Sequence, residues 1–321
     1  MNEYISVSII CNTYNHEKYI RDALDSFLMQ KTDFVFEVLI HDDASTDKTA
    51  EIIREYEERY PDIVKPIYQT ENQYSKGVKI GFTYQYPRVK GKYIAFCEGD
   101  DYWTDPYKLQ KQYEALEEHP EVDICAHGAY MVSAETKERL KDIAPATQDK
   151  VLPIDEVIMG EGGYVATNSL MYRKELNDDM PEFRRFLSLD YALQIHGALR
   201  GGMLYLKDTM SAYRWMTTSS WTRNMSQASH EKRQAFFEKK QKMLQILDEQ
   251  TNFSYTTTIQ KRMKKNYFGH FISLGEYKQA LSKEYRDVFK ELPFKERWKI
   301  LLKAYFPFLV TLKRKLTRKN H

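Results

Sequence analysis

Three carboxylates fall within four positions in the segment "AFCEGDDYW" (95–103): Glu98, Asp100 and Asp101. They directly follow an apolar run at 93–97 that has the composition of a buried strand. Like charges this close together repel one another, so the cluster predicts that a cation binds beside it. A turn or a helix cap is the alternative role for such a run.

Polar segments also follow two other predicted strands. "NTYN" (12–15) comes after the apolar run at 5–11, and "DDASTD" (42–47) comes after the run at 36–41. In an open parallel sheet, ligands bind beyond the carboxyl ends of the strands. One such segment is explained by a turn, since Asp, Asn and Ser favour turns, but three at one edge predict a binding site.

The elements that must position these residues alternate over the first 130 positions between apolar β-rich runs and amphipathic helical patterns. This order predicts an α/β fold with a mostly parallel sheet flanked by helices. Strands are predicted at 5–11, 36–41, 64–69, 93–97, 122–126, 164–173 and 202–208, with a helix at 188–200.

After about Ser226 the strand pattern stops and only helices are predicted, at 228–249, 256–273, 276–290 and 294–317. We therefore expect a catalytic domain at 1–225 and a C-terminal helical region at 226–321 that ends in a basic amphipathic segment.

Charge argues against a nucleic-acid partner. The 321-residue chain has a net charge of +2, but Lys295–His321 holds nine Lys and Arg against the single Glu296, which leaves −6 for the preceding residues. A nucleic acid needs a basic surface, so a polymerase, which can also carry a "GDD" run between strands, is not favoured. A nucleotidyltransferase would have a Gly-rich phosphate loop after the first strand, and "NTYNHEKY" has no glycine.

Cysteine usage and the N-terminus indicate a cytoplasmic protein. Cys11, Cys97 and Cys125 are odd in number and lie in apolar runs, which is typical of reduced core thiols. "MNEYISVSII" lacks the basic n-region of a secretory signal.

Three motifs together resemble a known family. "VSIICNTYNHEKYIRDALDSFLMQ", "EVLIHDDASTDKT" and "KGKYIAFCEGDDYW", in this order and spacing, resemble the nucleotide-sugar domain of family 2 glycosyltransferases. The resemblance covers about residues 5–221 and implies a GT-A fold, a Rossmann-like mixed and mostly parallel sheet. It also implies an inverting enzyme that transfers sugar from a nucleoside-diphosphate sugar, with a UDP-sugar favoured. The implied acceptor is a saccharide or lipid-linked saccharide in surface polysaccharide synthesis, such as that of a capsule. A nucleotidyltransferase or a non-catalytic nucleotide-sugar-binding protein on a similar fold is the alternative.

The resemblance places Asn12 and Tyr14 beside the nucleobase. A carboxylate at Asp43 can accept the N3–H of uracil or thymine, whereas cytosine has an acceptor at that atom. Asp42 is the other acid of the pair, and for it an Asx turn or a helix cap is an equal alternative.

The acidic cluster occupies the place of the family's DxD motif, with Glu98 expected towards the ribose and Asp100 or Asp101 on the metal. A Mg²⁺ or Mn²⁺ ion bridging the diphosphate would stabilise the leaving nucleotide. Arg214 is expected to bind phosphate or to pack. Met216 stands where the family often has a metal-binding His, and its thioether is a poor ligand for a hard cation.

Asp190 in "FLSLDYALQIHGALRGG" matches the family's catalytic base, although the usual first acid of the pair is replaced by Leu189. Because Asp190 opens a predicted helix, we expect the helix N-terminus to lower its pKa, and helix capping is the alternative role. Thr167 and Asn168 are expected to contact the acceptor.

The C-terminal tail contains an apolar stretch, 300–310, which is interrupted by Lys303 and Pro307. It is too short for a membrane span, which needs about twenty residues. Its aromatic side chains and the nine basic residues of 295–321 are typical of a segment that lies on an anionic membrane surface. A helix packed on the catalytic domain is the alternative.

Overall fold

The computed structural model describes residues 4–187, 189–217 and 220–306. The chain divides into two compact units, an N-terminal unit that ends at Arg233 and a C-terminal unit that begins at Gln234. The predicted change from mixed to purely helical structure near residue 225 lies just before this division.

The N-terminal unit is built around one ten-stranded sheet. Its strands are β1 (Ile5–Thr13), β2 (Val35–Asp42), β3 (Val64–Tyr68), β4 (Tyr93–Phe96), β5 (Tyr102–Trp103), β6 (Ile124–Ser133), β7 (Arg139–Ile143), β8 (Lys150–Leu152), β9 (Met171–Arg173) and β10 (Met203–Trp215).

The strand order is β3-β2-β1-β4-β9-β6-β10-β5, with β7 beside β6 and β8 beside β10. Strands β3, β2, β1 and β4 are all parallel, and β6 is parallel to β10. The antiparallel β9 joins the two parallel groups, since it pairs with both β4 and β6. The predicted mixed, mostly parallel sheet is confirmed, and the ends of β1, β2 and β4 meet at one edge.

Helices cover the sheet because their apolar residues recur at helical spacing. In the first helix, Ile20, Ala23, Leu24 and Phe27 are all buried against the sheet core. The helices of this unit are α1 (Ile20–Leu28), α2 (Thr49–Arg59), α3 (Lys108–Glu118), α4 (Ile154–Gly160), α5 (Glu182–Phe186), α6 (Asp190–Ala198) and α7 (Trp221–Ser226).

Three predicted strands differ from the structure. The strand predicted at 122–126 begins at Ile124 and continues to Ser133 as β6. Of the strand predicted at 164–173 only β9 forms, because Thr167–Ser169 is a 3-10 turn held by buried hydrogen bonds. The strand predicted at 202–208 continues to Trp215 as β10, with register shifts between Leu206 and Ser211. The polar sequence at these shifts hides the continuity of the strand from a pattern search.

The C-terminal unit is helical, as predicted. Its helices are α8 (His230–Gln250), which begins just before the division, α9 (Thr256–Leu274), α10 (Tyr277–Ala280), α11 (Arg286–Glu291) and α12 (Phe294–Tyr305). The single helix predicted at 276–290 is wrong: Ser282 is extended, which lets Tyr285 pack into a small core with Phe268 and Val288. The helix predicted at 294–317 ends at Tyr305 as far as it is described, and 307–317 lie outside the described residues.

No helix within the described ranges is both long and apolar enough to cross a membrane. The three cysteines, Cys11, Cys97 and Cys125, are buried and unpaired, as predicted.

Candidate active site

Backbone hydrogen bonds join the three polar segments at the shared sheet edge. The Asp43 N–H donates to the Thr13 carbonyl over 3.0 Å, and the Gly99 N–H donates to the Asn12 carbonyl over 3.0 Å. Glycine is favoured at position 99, because a Cβ there would lie 2.7 Å from Thr13 Oγ1 and force one of the two segments to shift. The strand ends therefore bring the residues predicted from sequence into one locality.

Asp100 is buried, and one of its carboxylate oxygens accepts a hydrogen bond from the protein. Oδ2 accepts a hydrogen bond from Thr217 Oγ1 over 2.7 Å and lies 3.9 Å from His16 Nε2. Within the described residues, no hydrogen bond reaches the other oxygen, Oδ1. Asp100 thus keeps a carboxylate oxygen for a ligand.

Asp101 differs from its neighbour, because both its oxygens are used by the protein. Oδ1 accepts the backbone N–H of Arg214 over 2.8 Å, and Oδ2 accepts the side-chain amide of Asn168 over 3.1 Å. Only 2% of Asp101 is exposed, and burial, followed by the charge of Asp100, raises its pKa well above the usual range. Through these two hydrogen bonds, Asp101 connects its own loop to Arg214 in β10 and to the turn at Asn168.

Arg214 is buried behind the acidic segment. Its Nη1 donates to the Asp100 carbonyl over 2.7 Å, and its Nη2 pairs with the Asp22 carboxylate. The guanidinium also lies over the rings of Tyr19 and Tyr102, at 5.1 and 4.5 Å from their centres. Of the two roles expected for Arg214, these contacts support packing.

Asn168 and Thr167 are neighbours with different surroundings. Asn168 is fully buried: its Nδ2 donates to the Asp101 carboxylate and, over 2.9 Å, to the Ala212 carbonyl, and its Oδ1 accepts from Ser211 over 2.7 Å. Its amide in this structure supports Asp101 and is not available to an acceptor. Thr167 is only half-buried, and its hydroxyl donates to Asp190 Oδ2 over 2.7 Å.

Asp190 is the first residue of α6 and is half-buried. Its Oδ1 accepts the backbone N–H of Tyr191 over 2.7 Å. Burial raises the pKa of Asp190, and this effect outweighs the hydrogen bond from Thr167, which acts in the opposite direction. The backbone N–H groups at the start of α6 lower this pKa in the expected direction, but burial outweighs them, so the pKa of Asp190 is raised on balance. A raised pKa makes Asp190 a stronger base when ionised.

Glu98 connects the two aspartates electrostatically. Its side chain is exposed to solvent. Its partial removal from water, followed by the negative charges of Asp100 and Asp190, raises the pKa of Glu98. Glu98 thus feels the charge of both aspartates, and a bound cation would relieve this repulsion.

The described residues do not form a complete metal site by themselves. Among residues 4–187, 189–217 and 220–306, no group of three or more Asp, Glu, His and Cys side chains is arranged to hold one. The oxygen donors of Asp100 and Glu98 fit a hard divalent cation, but only if a substrate and water supply the other positions.

Asp43 holds the loop that follows β3. Its two carboxylate oxygens accept the backbone N–H groups of Gln73 and Tyr74 over 2.8 and 3.0 Å. Because a carboxylate has about four lone-pair positions, Asp43 can accept a further hydrogen bond. Tyr74, whose backbone is fixed in this way, is 63% exposed.

Asp42 accepts both the hydroxyl and the backbone N–H of Ser45, over 2.5 and 3.2 Å. These contacts form a local Asx-type turn and not a helix cap, because α2 begins only at Thr49. Burial raises its pKa. Asn12 Oδ1 accepts a hydrogen bond from the buried Gln85 over 3.1 Å. Tyr14 is 37% exposed and lines a surface cavity of about 450 Å³ together with Thr46 and other residues.

Sequence reasoning did not identify His16 or Thr217. His16 is buried beside Asp100, burial lowers its pKa, and its Nδ1 has no partner among the described residues. Thr217 reaches Asp100 because Met216 has a left-handed backbone, with φ of 64°. Such a conformation is uncommon for a side-chain-bearing residue and is found at functional sites.

Comparison with known proteins shows the family of the chain. Residues 8–180 match the family described as Glycosyl transferase family 2. An uncharacterised protein of Mycobacterium tuberculosis is 38% identical over 216 residues, which are 67% of this chain and 60% of that protein. The Bacillus subtilis protein TuaG, whose name describes a teichuronic acid biosynthesis glycosyltransferase, is 36% identical over 112 residues. These residues are 35% of this chain and 42% of TuaG. The chain thus spans less than two thirds of these relatives.

Solved structures share the fold at low sequence identity. Residues 1–349 of Staphylococcus aureus TarS, in complex with UDP-GlcNAc, have a TM-score of 0.52 at 19% identity, covering 94% of this chain and 87% of that chain. The mannosyltransferase PcManGT of Pyrobaculum calidifontis, in complex with GDP-Man and Mn²⁺, has a TM-score of 0.53 at 15% identity, covering 94% and 86%. These similarities show the fold alone.

Proposed function

The chain belongs to glycosyl transferase family 2, and on this premise we propose that it moves a sugar from a nucleoside-diphosphate sugar to a saccharide or lipid-linked saccharide. One observation carries the proposal: neighbouring residues link Asp190 to the acidic segment that follows β4, since Asn168 hydrogen-bonds Asp101 and Thr167 hydrogen-bonds Asp190. A carboxylate for the diphosphate side and a carboxylate base for the acceptor side are the two groups that such a transfer needs.

Asp100 is the carboxylate that we propose for the metal, because it keeps an oxygen that Asp101 lacks. A Mg²⁺ or Mn²⁺ ion at Asp100 would offset the negative charge that builds on the departing nucleoside diphosphate. Glu98 is the acid that we propose for the ribose. The carboxylate of Asp101 stays inside the protein and holds the loop in place.

Asp190 is the proposed base. It would take the proton from the attacking hydroxyl of the acceptor, while the anomeric carbon exchanges the diphosphate oxygen for the acceptor oxygen. A single base with no second carboxylate acting as nucleophile gives direct displacement and inversion of the anomeric centre. Thr167 holds the Asp190 carboxylate by its hydrogen bond and lies at the proposed acceptor side.

The nucleobase site is proposed at Asp43, Asn12 and Tyr14, with a UDP-sugar favoured. An ionised Asp43 would accept the N3–H of uracil with its remaining lone pairs. The N1–H of guanine is also a donor, and PcManGT is in complex with GDP-Man. Uridine and guanosine donors therefore both belong in a test of this site.

The relation to TuaG supports a role in surface polysaccharide synthesis. We propose that the protein works at the cytoplasmic face of the membrane, where a lipid-linked acceptor would be met.

The test is a donor panel. The purified protein is incubated with UDP-, dTDP- and GDP-sugars and Mg²⁺ or Mn²⁺, and released nucleoside diphosphate is measured without an added acceptor. We expect slow hydrolysis of one donor, because water can replace the acceptor. Calorimetric binding of donors with no release would indicate a binding protein, and pyrophosphate release from a nucleoside triphosphate and a sugar phosphate would indicate a nucleotidyltransferase.

A further inference from the structure

Helix α12 of the C-terminal unit exposes a row of large apolar side chains. Phe294, Trp298, Leu302 and Tyr305 are 67%, 49%, 36% and 59% exposed. Their spacing of four, four and three residues places them on one side of the helix. We call these four residues the apolar face. On another side of α12, Ile300 is buried in the small core of the C-terminal unit.

A row of lysines runs beside the apolar face. Lys295, Lys299 and Lys303 recur every four residues and are all exposed. At 100° per residue this row lies between the apolar face and the side that bears Ile300. The Lys303 ammonium group lies 5.4 Å from the centre of the Tyr277 ring, so Lys295 and Lys299 are the lysines nearer the apolar face. None of the three forms an ion pair with a carboxylate in residues 220–306, and Glu296 is the one acid in α12.

The apolar face and the lysine row together indicate which kind of partner can cover α12. A monomeric soluble protein rarely exposes contiguous large apolar residues without a binding partner. Aromatic side chains flanked by lysines are suited to the boundary between lipid head groups and acyl chains, where the rings enter the apolar layer and the ammonium groups meet anionic heads. Five further Lys and Arg follow in the sequence at 307–321 and add to the attraction.

We propose that α12 is a membrane-docking helix, which inserts its apolar face into the head-group region of an anionic bilayer while the lysine row contacts the lipid heads. The biological role of this docking rests on the proposed function, because a docked enzyme would meet a lipid-linked acceptor by diffusion in two dimensions. The docking itself is carried by α12, to which the basic residues that follow in the sequence add attraction, and it needs no catalysis.

The experiment is sedimentation of the full chain with vesicles of phosphatidylcholine and phosphatidylglycerol in a 3:1 ratio. We expect binding that falls as salt rises. Phe294→Ser with Trp298→Ser is expected to weaken binding by about tenfold or more, since burying one such ring accounts for at least that factor. Lys295→Glu, Lys299→Glu and Lys303→Glu together are expected to weaken it on the order of a hundredfold.

Matched variants of the same unit act as controls. Phe253→Ser removes a ring that is 64% exposed at the turn between α8 and α9 and should bind vesicles like the wild type. Lys239→Glu, Lys242→Glu and Lys278→Glu change the net charge equally on other exposed positions and should weaken binding less than the lysine-row variant.

Three results would overturn the proposal: no vesicle binding by the wild type, full binding by the double Ser variant, or a soluble dimer that the double Ser variant dissociates. The second would assign binding to the tail beyond Phe306, and the third would assign the face to a second copy. Donor hydrolysis is measured in the same samples and should be unchanged in every variant. If the wild type binds vesicles but hydrolyses none of the donors, the result counts against the proposed function and not against the docking helix.

Discussion

Asp101→Ala should damage the fold, whereas Asp100→Ala should damage activity. The Asp101 carboxylate is the acceptor for the Arg214 N–H and the Asn168 amide in a region where Asp101 is only 2% exposed. Each buried donor left without a partner costs about 1–3 kcal/mol, so the free energy of unfolding should fall by about 2–6 kcal/mol. In an N-terminal unit of this size, that corresponds to a loss of roughly 5–20 °C in the unfolding temperature.

Asp100→Ala removes one acceptor, that of the Thr217 hydroxyl, and also removes the repulsion that Asp100 exerts on Glu98 and Asp101. The two effects oppose each other, so we expect a stability change of about 1 kcal/mol or less. Turnover should fall by on the order of a hundredfold, the scale of a lost charge-stabilising group.

The assay is thermal unfolding of both variants together with donor hydrolysis. Asp62→Ala is the control, because it removes an exposed carboxylate. If Asp101→Ala unfolds at the wild-type temperature, or if Asp100→Ala is the less stable of the two, the division of roles between these acids is refuted.

Asp190→Asn should fold and bind the donor normally but transfer at least about a hundredfold more slowly, because an amide cannot accept the proton; normal transfer would leave Asp190 as a helix cap only. The base must be ionised, so kcat/KM should fall as pH drops through the Asp190 pKa, and this fall should come at a higher pH than for an ordinary Asp. Thr167→Val removes a hydrogen bond that lowers this pKa and should move the fall to still higher pH, whereas an unchanged pH profile would contradict the assignment. Gly99→Ala should lower stability by about 1–3 kcal/mol in a denaturant titration, because its Cβ would overlap Thr13; wild-type stability would show that the loop can move aside.

The parallel part of the fold could be predicted because its signals are local. Apolar runs that end in polar segments gave β1, β2 and β4, and helical spacing at Ile20, Ala23, Leu24 and Phe27 gave α1. Strands buried on both faces and helices with one buried face leave these patterns in any sequence.

The different roles of the polar site residues could not be predicted, because these roles depend on contacts between segments that are distant in sequence. Asp101 and Asn168 are 67 positions apart, and Arg214 reaches Asp101 across 113 positions. The apposition of Asp100 and Thr217 likewise depends on the left-handed turn at Met216, which no propensity favours for methionine. The raised pKa of Asp190 follows from burial, which a helix N-terminus in the sequence does not reveal.

The most direct test of the central claim is the rate at which Asp100→Ala releases nucleoside diphosphate from the donor that the panel identifies. With donor and divalent cation saturating, we predict a rate on the order of a hundredfold or more below the wild type, while Asp62→Ala stays within about twofold. An Asp100→Ala protein that is folded and releases nucleoside diphosphate at the wild-type rate would contradict a donor site at this edge of the sheet.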